Sequence, residues 1–251
     1  MTDPRSFYDQ LANAYHLIFE DWEESMARQS AALAGVLEHW LPRAGLVLDA
    51  AAGIGTQVLG LAAHGYQLVG SDISVAALRR ASSEAASREL DARFVAADLR
   101  ALPFRSGCAD AAMACDNAIP HLLSIAEIAS AMQEMARCVR AGGGVVISVR
   151  DYVPQPTGTR QIVPYGEREW EGRRYQAEQE WEWHGRFYDV RLRIRSLESE
   201  HEPLVDVQTS YFAVSIAELL DVMRNAGLVD VQRLDGVYYQ PLLIGTVSHA
   251  A

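Results

Sequence analysis

The stretch Val47-Leu48-Asp49-Ala50-Ala51-Ala52-Gly53-Ile54-Gly55-Thr56-Gln57 constrains this chain more than any other. A short apolar run ends there in Gly-x-Gly, and a segment with helical character follows. Glycine has no Cβ and adopts positive φ without strain. A strand that turns through Gly53 and Gly55 into a helix therefore lets the backbone approach a ligand closely. The turn alone does not choose the ligand. Nicotinamide and flavin sites use the same geometry with a third glycine three residues on, where this chain has Val58. A tight turn without a ligand is the competing reading of these residues.

The surrounding pattern places the turn in a parallel sheet. Apolar runs at Leu46 to Ala50, Tyr66 to Ser71, Arg93 to Ala97, Ala109 to Cys115 and Gly144 to Arg150 alternate with helical segments, which predicts strands joined by crossover helices. Before them, Met26, Leu33, Leu37 and Trp40 recur at helical spacing between Asp21 and Leu41, and Pro42 and Gly45 end the run. Ser124 with Glu127 and Ser215 with Glu218 fit the capping box. The stripes behind them, Ile128-Met132-Met135-Val139 and Ile216-Leu219-Leu220-Met223, read as core, the second stopping at Gly227.

Between Asp151 and Tyr211 the chain becomes rich in Trp, Tyr, Arg and Glu. The alternation from Tyr188 to Ile194 predicts antiparallel strands, an insertion over the active edge of the sheet. The runs Leu228 to Leu234 and Pro241 to Val247 close the chain as a strand pair. The expected organisation is a single domain over 1–251: a helical arm at 1–45, a core at 46–150, a β-rich insertion at 151–212, and a helix with the strand pair at 213–251.

Charge narrows the ligand. Twenty-two basic against 33 acidic residues leave a net charge of −11, a field that repels phosphate backbones and argues against a nucleic-acid partner. The same sign favours a cationic ligand. No run approaches the roughly 18 apolar residues of a membrane span, and the N-terminus lacks a basic start followed by an apolar stretch, so a cytoplasmic protein is expected. Cys108, Cys115 and Cys138 form neither a paired framework nor a zinc spacing, and no metal is expected. Self-association into a homo-oligomer is left open.

Two carboxylates turn the glycine loop into a nucleoside site. Asp72, 17 residues after Gly55 at the end of the second run and next to Ile73, can accept ribose hydroxyls. Asp98 ends the third run, where its carboxylate can take an adenine amino group while Leu99 offers a backbone amide. Taken singly, each is also an ordinary cap or turn aspartate. Together they stand at the carboxyl ends of successive strands, where open α/β sheets bind ligands.

From Leu46 to about Arg150 this succession resembles the class I S-adenosylmethionine-dependent methyltransferases, which implies a Rossmann-like α/β fold and S-adenosyl-L-methionine as methyl donor. One departure is visible: Asp49 is followed by Ala51 where that family often has its first glycine, which requires negative φ at Ala51.

A finer similarity, to glycine and sarcosine N-methyltransferases, extends to the arm FYDQLANAYHLIFEDWEESMARQ and the loop GIGTQ. It implies donor contacts from Tyr15, Trp22 and Arg28, with the arginine neutralising the methionyl carboxylate, and from the loop residues Asp49, Ala51, Gly53, Gly55, Thr56 and Gln57. Cys115-Asp116-Asn117-Ala118-Ile119-Pro120-His121 is similar to the segment that lines the acceptor pocket in that family, with Cys115 toward the donor and Asn117 and His121 toward the acceptor. An imidazole near neutral pH suits a base that frees the acceptor amine, so His121 is the candidate catalytic residue, set against a purely structural histidine. Ser148-Val149-Arg150-Asp151-Tyr152 resembles the family's arginine motif, implying that Arg150 binds an acceptor carboxylate; the competing reading pairs it with Asp151. Among the insertion aromatics, Tyr165 and Tyr211 are taken as pocket walls.

The expectation is therefore transfer of a methyl group to the amine of a small amino acid such as glycine or sarcosine. One rival is a small-molecule methyltransferase of secondary metabolism with another N, O or C acceptor. Another is a donor-binding protein without catalysis.

Overall fold

A computed structural model describes residues 3–40, 45–153, 155–198 and 203–249. Asp3 caps a short helix, α1 (Pro4–Leu11), by accepting the Arg5 amide, with Pro4 at the first helical position where its missing N–H costs nothing. A single 3-10 turn at Tyr15–Ile18 leads to α2 (Trp22–Leu37), capped by Asp21. This helix ends earlier than the periodicity predicts. Trp40 lies in the turn beyond it, and Leu41 and Pro42 fall outside the described residues.

The strands β1 (Leu46–Asp49), β2 (Gln67–Asp72), β3 (Ala92–Ala96), β4 (Ala109–Ala114) and β5 (Val139–Ser148) are parallel neighbours. Three helices cross between them: α3 (Thr56–Ala63), α4 (Val75–Ser87) and α5 (Ile125–Cys138). In a second sheet β6 (Arg160–Trp170), β7 (Arg173–His184), β8 (Phe187–Ser196) and β9 (Val205–Phe212) run antiparallel in sequence order. The chain closes with α6 (Ile216–Asn225), β10 (Leu228–Leu234) and β11 (Leu242–Val247). The first sheet reads β10-β11-β5-β4-β1-β2-β3, and β11 is antiparallel to β5. Its order reverses between β1 and β4, so the crevice opens beyond the carboxyl ends of those strands.

Local chemistry explains the departures from the periodic pattern. Val139, predicted on a helical stripe, is the first residue of β5, which begins five residues before the expected Gly144 and absorbs a register shift opposite Ala109–Ala111. Gly144 serves packing: a Cβ there would stand 2.3 Å from the Trp40 ring, whose Nε1 donates to Thr246 Oγ1 at 2.9 Å. Ser215 and Glu218 make the full capping box, whereas the Glu127 carboxylate accepts from Leu123 N at 3.0 Å instead of returning to Ser124 N.

The core lies on both faces of the first sheet. Ile128, Met132, Met135, Leu219 and Met223 are buried in one cluster that continues into the second sheet through Trp183, Tyr188 and Tyr211. Each such side chain contributes about 1.5–3 kcal/mol by leaving water. A separate cluster joins Phe7 and Leu11 of α1 to Tyr175, Ala177 and Leu192, so the N-terminal helix is packed onto the antiparallel sheet. No described helix is long and apolar enough to cross a membrane.

Candidate active site

The turn after β1 opens onto a cavity. Gly53 (φ 53°) and Gly55 (φ 93°) take the left-handed conformation that a side chain would strain, and Ala51 is not among the residues with positive φ. Asp72 at the end of β2 ties this turn down. Its Oδ2 accepts Gly53 N at 2.9 Å and its Oδ1 accepts Ser74 N at 2.8 Å. Burial pushes the Asp72 carboxyl above its ordinary range, while those amides pull it back.

The cavity holds about 250 Å³. It is lined by the β1 turn, by Asp72 and Ile73, by Asp98 and Leu99 after β3, by Cys115, Asp116 and His121 after β4, and by Tyr8 and Tyr15 of the arm. Asp98 has both lives the sequence allowed. It lines the cavity, yet it also accepts Arg100 N at 2.8 Å in a local turn and pairs with the Arg100 guanidinium, which holds its carboxyl below the usual range.

Four residues named from sequence for the donor lie outside the lining. Arg28 is exposed on α2, so the implied carboxylate contact is not formed by this arginine. Trp22 is buried behind the cavity, where its Nε1 donates to Thr56 Oγ1 at 2.9 Å and thereby orients a lining hydroxyl. Gly55 starts α3 and packs against Ala81 and Leu59. Asp49 is buried beneath Ala51: Oδ1 accepts Ala51 N at 3.2 Å, Oδ2 has no partner, and burial raises its carboxyl to about 7. Tyr15, Ala51, Gly53, Thr56, Gln57, Asp72, Ile73, Asp98, Leu99 and Cys115 all line the cavity.

A second, smaller cavity of about 40 Å³ adjoins the first. Tyr8, Tyr15 and Asp116 line both and so form the seam between them. The smaller cavity is also lined by Arg150, just after β5, and by Tyr165, Gln179 and Tyr211 from the antiparallel sheet. The Arg150 guanidinium lies 4.8 Å over the Trp181 ring, among the hydroxyls of Tyr188, Tyr152, Tyr165 and Tyr211. Asp151 pairs instead with Arg233 at 2.7 Å, which removes the strand-end ion pair as an account of Arg150.

Asn117 and His121 are more constrained than their residue types suggest. Asn117 Nδ2 donates to Tyr152 OH at 2.7 Å and its Oδ1 accepts Arg150 N at 3.1 Å, so its amide joins the ends of β4 and β5. His121 Nε2 shares a 2.8 Å hydrogen bond with Tyr8 OH, and its ring packs 4.2 Å from Tyr211. Burial lowers its pKa to about 3. The imidazole is neutral at physiological pH and holds Tyr8 at the seam; it is poorly matched to the base role.

Tyr8, Asp116 and Gln179 were not singled out from sequence. Asp3-Pro4 followed by Phe7 and Leu11 marks the helix that carries Tyr8. An Asp-Asn pair ending a strand is a weaker signal, since both types tolerate left-handed backbone. Gln179 gives none.

The residues present suit S-adenosylmethionine: a turn with close backbone approach, an acid fixed at the end of β2, and aromatic side chains where a sulfonium would meet an acceptor. This is the architecture of the class I S-adenosylmethionine-dependent methyltransferases. Residues 47–143 match the family described as a methyltransferase domain. The demethylmenaquinone methyltransferase of Thermus thermophilus is 34% identical over 119 residues, 47% of this chain. The match spans about half of that relative, 51%. A methyltransferase from Streptomyces caelestis superposes with a TM-score of 0.78 at 18% identity, covering 99% of this chain and 100% of that one. An amino pentose methyltransferase from Micromonospora echinaspora, solved with S-adenosylmethionine bound, gives 0.74 at 19% identity over 94% and 95%.

Proposed function

We propose that this chain moves the methyl group of S-adenosylmethionine onto the amine of a small amino acid, glycine and sarcosine being the type. The donor supplies an electrophilic methyl on a sulfonium; the chain's own residues supply position. The observation that carries the acceptor class is Arg150. It is a largely buried guanidinium with no carboxylate in salt-bridge reach among the described residues, and it lines the small cavity that the seam residues also line. A buried charge of this kind is costly until an anion meets it. An acceptor carboxylate at Arg150 places its amine toward Tyr8, Tyr15 and Asp116, beside the donor cavity. Orientation of this sort provides much of the rate in direct displacement.

Turnover of glycine and sarcosine beside methylamine and dimethylamine tests the assignment. The carboxylated acceptors are expected to react and the plain amines to fail. Arg150→Ala is expected to lower kcat/KM for the amino acid by about 100-fold, the loss of a charge-assisted bidentate contact, with donor-product affinity unchanged. Equal turnover with and without a carboxylate, or an unaffected variant, rejects it.

The Micromonospora neighbour favours a second reading, an amino sugar as acceptor, because its similarity extends through the antiparallel sheet. The 40 Å³ cavity argues for the smaller molecule. An amino-sugar nucleotide in the same assay separates the two.

A further inference from the structure

The end of β4 is an irregular segment of the site held by many contacts. Asp116 (φ 57°) and Asn117 (φ 65°) are consecutive non-glycine residues in the left-handed region, which costs free energy that surrounding contacts must offset. Those contacts are on three sides. Asp116 N donates to Ser148 Oγ at 2.7 Å and Asn117 N to Ser148 O at 3.2 Å. The Asn117 amide is fastened to Tyr152 and the Arg150 backbone. Between β10 and β11, Tyr239 donates to Asp116 Oδ1, while Gln240 Oε1 accepts from Ser148 Oγ at 2.9 Å. The neighbouring Tyr238 donates to Gln29 Oε1 at 2.5 Å, and the same oxygen accepts from Gln57 of the donor cavity at 2.8 Å.

What this strain achieves is the placement of one carboxylate. Asp116 lines both cavities, on the seam, and Arg150 lines the acceptor cavity with it. Its Oδ1 is taken by Tyr239, and Oδ2 carries no hydrogen bond among the described residues. A zwitterionic acceptor with its carboxylate at Arg150 would bring its ammonium to this oxygen. His121 cannot serve instead, since its Nε2 is engaged by Tyr8 in a buried, neutral ring.

We infer that Asp116 receives the proton of the acceptor's ammonium, and that Tyr239 is a positioning residue that fixes this carboxylate at the seam. The inference rests on the amino-acid reading above. In the step, an N–H bond of the ammonium breaks and an O–H bond forms on Asp116, leaving a lone pair on nitrogen. That pair forms the N–C bond to the methyl group as the C–S bond breaks, its electrons going to sulfur. The methylated amine leaves as a cation, and Asp116 returns its proton to solvent. Burial, which raises the Asp116 carboxyl, suits this exchange, and the Tyr239 bond and the Arg150 charge oppose the rise. The groups facing Asp116 are Arg150, Tyr15, Tyr165, Cys115, Tyr238 and Tyr239; only Arg150 carries charge at neutral pH.

The test is the pH profile of kcat/KM for glycine and sarcosine in Asp116→Asn, a replacement of equal shape that tolerates positive φ. The expected result is a loss of about 100-fold at pH 7, with the variant's rate climbing tenfold per pH unit toward the amine's own deprotonation. With aminooxyacetate, whose amine is neutral at pH 7, the defect should shrink below about threefold. Tyr239→Phe, at an exposed position, should displace the acid limb of the profile upward, because the anion loses a hydrogen bond, while S-adenosylhomocysteine affinity holds. A wild-type profile in Asp116→Asn, or an equal loss with aminooxyacetate, overturns the inference alone. Failure of the wild-type protein to methylate any carboxylated amine, with S-adenosylhomocysteine still bound, overturns the amino-acid reading and this inference with it.

Discussion

The two cavities that meet at Tyr8, Tyr15 and Asp116 are built in opposite ways. The donor side is made of strand ends and backbone from one continuous stretch, the turns after β1, β2, β3 and β4, with the arm added as a cover. Its key geometry is carried by Gly53 and by amides held on Asp72. The smaller cavity, the proposed acceptor side, is made of side chains from separate segments: α1, the 3-10 turn, the ends of β4 and β5, and the antiparallel sheet. A backbone-built site accepts few alternatives and is repeated across many chains. One built from side chains on a second sheet is free to vary, which fits a fold that hosts many acceptors.

The comparison breaks most sharply at Asp72. If the donor side depends on this carboxylate for both loop geometry and ligand contact, Asp72→Ala should weaken S-adenosylhomocysteine binding by about 100-fold, as expected for losing hydrogen bonds to a charged acceptor. The acceptor KM at saturating donor should stay within about threefold. Calorimetry for the first quantity and steady-state kinetics for the second check it. A parallel loss in both would mean the cavities are one cooperative unit.

A substitution at the seam should behave differently from one in either cavity. Tyr8→Phe removes the hydroxyl shared with His121 Nε2 and leaves that buried ring, whose Nδ1 already lacks a partner, without any polar contact. The expected outcome is a fall of about 10-fold in kcat, the scale of one mispositioned polar contact, with donor-product affinity and acceptor KM nearly constant. A change confined to acceptor KM would instead assign Tyr8 to the acceptor cavity.

The same contrast explains what could be read in advance. Strand order, the glycine turn, Asp72 and Asp98 follow from local pattern, because each sits at a strand end and strand ends in a parallel sheet converge. Arg150 was legible for that reason as well, as the last residue of the fifth apolar run. Trp22 and Arg28 were assigned by likeness alone, and the direction in which α2 presents them decided otherwise: one behind Thr56, the other toward solvent. Asp116 depends on Tyr239, far away in the chain, and Gln179 on the register that pairs it with Val163 of the neighbouring antiparallel strand. No local pattern encodes such a meeting. His121 was legible by its position, whereas its burial and its hydrogen bond to Tyr8, which favour a neutral ring, are set by distant segments.

Asp49 offers the finest distinction on the donor side, between a residue that shapes the turn and one that holds the ligand. Its carboxyl is raised to about 7 by burial, so the folded chain keeps a proton that the unfolded chain releases near pH 4. Because the folded state binds more protons at this carboxyl between those values, its contribution to stability falls as pH rises through the window and levels off above pH 7. Between pH 6 and pH 8 that contribution should fall by about 1 kcal/mol, read by urea unfolding at each pH as the difference between the wild type and Asp49→Asn, because His16 and His121, held below their ordinary range by burial, add a slope of opposite sign to both. Asp49→Asn keeps an oxygen for the Ala51 amide and cannot titrate, so its unfolding free energy should lack this downward contribution, and S-adenosylhomocysteine affinity should change less than about threefold. If the slope persists while donor affinity collapses, Asp49 belongs to the ligand contacts after all, and the donor side is less purely a backbone site than the two cavities suggest.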